Sequence, residues 1–214
     1  GTDLIRDDKG KFFVLEDNLR VPSGVAYMLE NRNIMKRVIP DLFNSYAVNP
    51  IDDYPSQLFK CLGEASFNTN ANKKIVVLTP GVFNSAYFEH SYLAQQMGVE
   101  LVEASDLYVS RSNNVLMKTI NGPKKIDVIY RRIDDVFIDP KVWRKDSSLG
   151  IPGIYNAWKN KKIAIVNAPG SGVADDKAVY AFVPKMIKFF LKEEPIISQV
   201  KTYVCAFKKD LNYV

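Results

Sequence analysis

Lys74-Ile75-Val76-Val77-Leu78-Thr79-Pro80-Gly81 is the stretch on which the reading of the fold turns. Its apolar residues run without alternation between a lysine and a Pro-Gly pair. A strand with one wet face alternates apolar and polar side chains. An unbroken short run suits a strand buried on both faces, as in a parallel sheet covered by helices. Working outward, residues 85–97 have helical spacing, and Gly98 is placed to end that helix. Residues 99–102 predict a second strand. Residues 107–109 and 115–120 predict two more, joined by the turn Ser112-Asn113-Asn114. A buried strand over 126–130, a short helix over 154–160 and a last strand over 162–166 complete the pattern. Strand, helix, strand order implies right-handed crossovers and a doubly wound sheet. The expectation for 73–166 is therefore α/β: a mainly parallel sheet with helices on both faces.

The flanks read differently. Residues 3–18 predict a hairpin, with Asp7-Asp8-Lys9-Gly10 as the turn and Phe12-Phe13-Val14-Leu15 as a buried strand. Pro22 and Gly24 make 18–24 a loop, and Ser23 is a plausible N-cap for the next helix. Val25, Met28, Leu29 and Arg32 share a face of that helix, which should fade before Pro40. A second helix over 54–65 carries Pro55 in its first turn. The polar stretch 68–72 marks a boundary. A final helix should begin near Asp175, and Pro184 should kink or split it.

Composition narrows the function classes. The net charge of +5 is spread over lysine pairs flanking apolar stretches, with no run of like charge. Nucleic-acid binding wants a basic stripe interleaved with aromatics, which is missing. No apolar run reaches the roughly 18 residues of a membrane span. Cys61 and Cys205 are far apart and outside any CxxC, which argues against a disulfide scaffold and a zinc site. The expected setting is a reducing cytoplasm. The start has no basic region followed by an apolar one, and its abrupt strand-like opening suggests a cut chain.

Four constellations could carry chemistry. In the first, Glu16 and Asn18 lie two apart at the end of a strand and project together. A carboxylate beside an amide oxygen is a hard-oxygen pair suited to Mg²⁺. Arg20 follows with a guanidinium fork that fits a phosphate or carboxylate. The same spelling also reads as a surface Glu16–Arg20 ion pair with Asn18 turning the chain. The second is Leu78 to His90, where a strand meets a loop and a helix. It has a single glycine, so it fails as a dinucleotide signature, and its lone histidine reads best as packing at a helix edge. The third is Val128-Ile129-Tyr130-Arg131-Arg132-Ile133-Asp134-Asp135. Open α/β sheets bind ligands at this end of a strand, and one arginine could clamp a carboxylate. Alternation puts Arg131 with Asp127 and Ile129, and Arg132 with Val128 and Tyr130. A surface network with Asp134 and Asp135 is the other reading. The fourth, Asn167-Ala168-Pro169-Gly170-Ser171-Gly172-Val173-Ala174-Asp175-Asp176-Lys177, lacks the Gly-Lys-Ser/Thr ending of a phosphate loop. It reads as a hinge, with Asp175 or Asp176 capping the helix behind it.

Glu16-x-Asn18 followed by Pro22-Ser23-Gly24, and the longer spelling from Glu16 through Val25 to Leu29-Glu30-Asn31-Arg32, resembles the circularly permuted ATP-grasp family, relatives of the glutathionylspermidine synthetase type. The other three blocks resemble it too. The resemblance implies an ATP-dependent carboxylate–amine ligase acting through an acyl-phosphate, with ATP and Mg²⁺ as cofactors and a small-molecule or peptide carboxylate and an amine as substrates. It implies that Glu16 and Asn18 hold Mg²⁺ and that Arg20, Arg131 and Arg132 stabilise the charge in transfer. It implies residues 1–72 as a partial, α+β ATP-grasp segment, 73–200 as a pre-ATP-grasp α/β domain and 201–214 as the start of a truncated subdomain. The family's ATP-binding lysine strand, glycine-rich loop and other metal carboxylate are expected downstream, so the chain itself should be inactive. Two other readings stand beside it: a non-catalytic peptide- or nucleotide-binding module of the same fold, and a plain nucleotide-binding α/β domain, which the missing GxGxxG weakens.

Overall fold

The computed structural model describes residues 1–214 as two compact units, one built from Gly1–Pro22 with Pro169–Val214, the other from Ser23–Ala168. The chain leaves the first unit early and returns to it late.

The first unit opens with an antiparallel hairpin of β1 (Thr2–Arg6) and β2 (Phe12–Asp17). Its turn is closed by the Asp7 carboxylate, which accepts from the backbone N–H of Lys9 at 3.0 Å and of Lys11 at 2.7 Å. Gly10 supplies the left-handed step the turn needs, at φ 82°.

The second unit is the α/β body. Helices α1 (Val25–Val38), α2 (Pro40–Ser45) and α3 (Tyr54–Glu64) lead into strand β3 (Ile75–Leu78). Then come α4 (Tyr87–Met97) and β4 (Glu100–Val102). Strands β5 (Leu107–Val109), β6 (Val115–Met117) and β7 (Lys124–Lys125) form a small antiparallel sheet. Strand β8 (Val128–Arg131), helices α5 (Asp135–Ile138) and α6 (Ile154–Lys159), and strand β9 (Ala164–Val166) complete the unit. The central sheet runs β4-β3-β8-β9, every pair parallel.

Both faces of that sheet are covered, which is why its strands read as unbroken apolar runs. Ile75, Val77, Val128 and Tyr130 point to one face and pack with Leu62 of α3 and Leu93, Ala94 and Met97 of α4. Val76, Leu78 and Ile129 point to the other and pack with Ile138, Ile154 and Ala157 of α5 and α6. Leu107, Val115 and Met117 of the small sheet join this second core. The strand order reverses direction between β3 and β8, which places the crevice of an α/β sheet above their C-terminal ends.

The chain then re-enters the first unit through a 3₁₀ turn at Ser171–Asp175, α7 (Lys177–Tyr180) and α8 (Val183–Met186). A π turn follows at Ile187–Leu191, then β10 (Ser198–Gln199), which pairs parallel with β2, and α9 (Lys208–Leu211).

Several local expectations are corrected. Phe12 and Leu15 are 52% and 43% exposed, because β2 sits in a three-stranded sheet met only by short helical pieces. The helix after Gly24 has no capping side chain, so Ser23 does not serve as its N-cap. The strand expected over 115–120 stops at Met117, leaving Ile120 fully exposed. The final helical pattern is split, with Pro184 in the first turn of α8, where its missing N–H costs nothing. His90 is buried rather than at a helix edge. Within the second unit, Leu62 of α3, before residues 68–72, shares a core with Val77 and Leu93, after them.

Candidate functional site

In the first unit, β1 and β2 set Asp3 opposite Glu16. The pairing follows a register shift between Asp3 and Leu4, a local bulge of the kind that re-aims a side chain. Asn18 follows the end of β2, and its amide donates to Asp3 Oδ2 at 3.4 Å. Glu16 also engages Lys177 Nζ in an ion pair. That hydrogen bond and charge, with smaller help from Asp3 and Asn18, hold the Glu16 carboxyl below its usual 4.5. The Lys177 ammonium is raised in turn, chiefly by Glu16.

Lys177 arrives there because α7 starts at it. The Asp176 side chain caps that helix, accepting from Ala178 N–H at 2.8 Å. Asp175 turns the other way. Its Oδ1 accepts from the backbone N–H of Leu19 at 2.5 Å and Arg20 at 3.1 Å, and its Oδ2 lies 3.4 Å from Arg20 Nε. The stretch that reads as a hinge therefore closes onto the strand end carrying Glu16, Asn18 and Arg20.

No three His, Cys, Asp or Glu side chains gather to hold a metal ion. The Asp3 and Glu16 carboxylates do meet beside the Asn18 amide, whose nitrogen faces Asp3, and Glu16 already pairs with the Lys177 ammonium. Such a donor set fits part of a Mg²⁺ shell, whose remaining positions are ordinarily water or substrate phosphate.

In the second unit, Arg131 and Arg132 end β8 and diverge. Arg131 is 1% exposed and directed at backbone carbonyls: Nε donates to Asn167 O at 2.6 Å, Nη1 to Ile133 O at 2.8 Å and Nη2 to Ala168 O at 3.3 Å. Its Nη2 also lies 2.7 Å from Asp135 Oδ1. Arg132 points to the opposite face, where Nη1 donates to Tyr130 Oη at 3.0 Å and Nη2 to Glu89 Oε1 at 3.1 Å. Its guanidinium carbon lies 5.3 Å from the centre of the Tyr130 ring. The Arg131–Asp135 contact is thus internal rather than a surface network. Beside this group, His90 Nδ1 shares a 2.8 Å hydrogen bond with Thr79 Oγ1. Burial, and then the Arg132 charge, lower His90 to about 4.

Among the residues expected in the site, Glu16, Asn18 and Arg20 lie in the first unit, and Arg131 and Arg132 in the second. Sequence reading missed Asp3, Lys177 and Glu89. A carboxylate on the pairing strand of a hairpin was the available signal for Asp3. Lys177 and Glu89 meet partners 161 and 43 residues away, and nothing local announces them.

The chain matches the profile of the circularly permuted ATP-grasp type 2 family over residues 1–214 and belongs to that family. A Synechocystis sp. protein of uncharacterized function is 56% identical over all of this chain, which spans 44% of that relative. An uncharacterized Mycobacterium tuberculosis protein is 53% identical over 96% of this chain and 37% of its own length. A Frankia casuarinae protein provisionally named glutamate–cysteine ligase 2-2 is 40% identical over 100% of this chain and 25% of its own length. The chain thus spans less than half the length of these relatives.

Proposed function

We propose that this chain supplies part of the metal-binding end of an ATP-dependent carboxylate–amine ligase. The observation that carries the reading is the meeting of Asp3, Glu16 and Asn18 at one strand end, with Lys177 paired to Glu16 and Arg20, two residues on, paired to Asp175. In this reading Glu16 and Asn18, joined by Asp3, hold Mg²⁺. When bound, the ion would neutralise phosphate charge as a carboxylate takes the γ-phosphoryl group from ATP and ADP leaves. The amine then attacks the acyl-phosphate and phosphate leaves. Arg20, anchored by Asp175, presents its fork where charge develops. Arg131 and Arg132 are engaged by internal partners, which favours a role in holding the strand ends and the 167–168 segment over direct contact with substrate.

Glutamate is the first acid to assay, on the strength of the Frankia relative's name. The test is ATP consumption by a family-length protein containing this segment, with glutamate and a panel of amines. Turnover that depends on both substrates and disappears in Glu16→Ala supports the ligase. Nucleotide or peptide binding without turnover would favour a binding module instead.

A further inference from the structure

Helix α1 starts without a local cap. Its N-cap position is Gly24, in the left-handed region at φ 114°, and no side chain of the preceding loop reaches its N–H groups. Yet two of those groups are satisfied. Glu89 Oε2, from α4, accepts from Gly24 N–H at 2.6 Å and from Ala26 N–H at 3.1 Å. Its Oε1 accepts from Arg132 Nη2 at 3.1 Å, and both side chains are 1% exposed. A buried carboxylate needs such partners, and a helix N-terminus supplies partial positive charge to match it. Arg132 is itself held by Tyr130. A chain of contacts therefore runs from the C-terminal end of β8, through Arg132 and Glu89, to the first residues of α1.

We propose that Glu89 is a positioning residue: an internal anion that fixes where α1 begins, and so fixes the backbone of Ser23 and Gly24, into which the metal-binding strand end runs in sequence. The functional half of this proposal rests on the ligase reading above. Glu89 also takes the helix N-terminal charge that an incoming phosphate or carboxylate would otherwise use. The start of α1 is thereby a scaffold and not an anion site.

The first test is amide hydrogen exchange on the 214-residue chain and its variants. Glu89→Ala should speed exchange at residues 24–28 by about tenfold or more, while β3 and β8 keep their protection. Glu89→Gln, whose amide oxygen can still accept, should show a smaller local change, and it carries the test if the alanine variant does not fold. Unchanged exchange at 24–28, or an equal rise throughout the sheet, would overturn the proposal. The second test is kinetic, in the family-length protein. Glu89→Ala should lower kcat with little change in KM for ATP, and Glu89→Gln should recover part of the loss. Loss of ATP binding in both variants would contradict a positioning role. If the unaltered protein consumes no ATP, the ligase reading fails, while the exchange data still decide whether Glu89 sets the start of α1.

Discussion

Asp3 stands opposite Glu16 only because the hairpin register slips between Asp3 and Leu4. Counting back from the Leu4–Val14 pair without that slip sets Asp3 against Leu15, on the wrong face. A bulge leaves no clear mark in sequence, so one carboxylate of the cluster was legible and its neighbour was not. Lys177 makes the cluster testable by titration. Glu16 should titrate below 4.5, and Lys177→Met should return it toward that value, as read by carboxyl NMR. A group depressed in this way adds stability above its unfolded pKa that is lost as pH falls through the folded one. Here the carboxylate is solvated, so the chemical shift and not the melting curve is the sensitive readout. His90 gives the opposite case, a buried group. Its value near 4 means the unfolded chain takes up a proton below pH 6.5 that the folded chain refuses. Stability should therefore fall by up to about 3 kcal/mol as pH drops from 6.5 toward 4, at 1.36 kcal/mol per unit. Urea titrations at pH 7 and pH 5 should show this loss in the native protein and a smaller one in His90→Gln. Equal losses in both would contradict it.

At the scale of elements, α1 and α6 share a device. Each starts at a glycine in the left-handed region, Gly24 at φ 114° and Gly153 at φ 90°, and neither has a neighbouring side-chain cap. Each is instead capped by a carboxylate from elsewhere. Asp139, fully buried, accepts from the N–H groups of Gly153 and Tyr155 at 3.0 Å and of Lys141 at 2.9 Å. Capping rules search the few residues before a helix, so they found Ser23 and missed Glu89. The strands were legible for the opposite reason: apolar runs bounded by turn residues record double-sided burial directly. Asp139→Ala should lower the unfolding free energy by about 3 kcal/mol, because it removes the acceptor from three part-buried N–H groups at once. Asp139→Asn should cost less, about 1 kcal/mol, since one oxygen still accepts. Denaturant unfolding of the two variants checks the order. An alanine variant as stable as the native chain would show that water replaces the carboxylate.

For the whole molecule, the sequence order of blocks concealed the division into units. Glu16 and Lys177 belong to one unit although the entire α/β body is inserted between them. The two units join in sequence at 22/23 and 168/169, within Pro- and Gly-containing segments that read as a loop and a hinge. Family membership was legible throughout, since all four blocks carry the resemblance and the profile match covers residues 1–214. In the proposed function, Asp3, Glu16 and Asn18 form the cation-binding end of a ligase that activates a carboxylate. Hydroxylamine trapping tests it most directly, because hydroxylamine captures an acyl-phosphate as a stable hydroxamate. With ATP, Mg²⁺ and glutamate, a family-length protein containing this segment should yield hydroxamate without any amine substrate. The Glu16→Ala variant should yield none while keeping its fold. Hydroxamate formed equally by Glu16→Ala, or formed by neither protein with any acid offered, would contradict the claim.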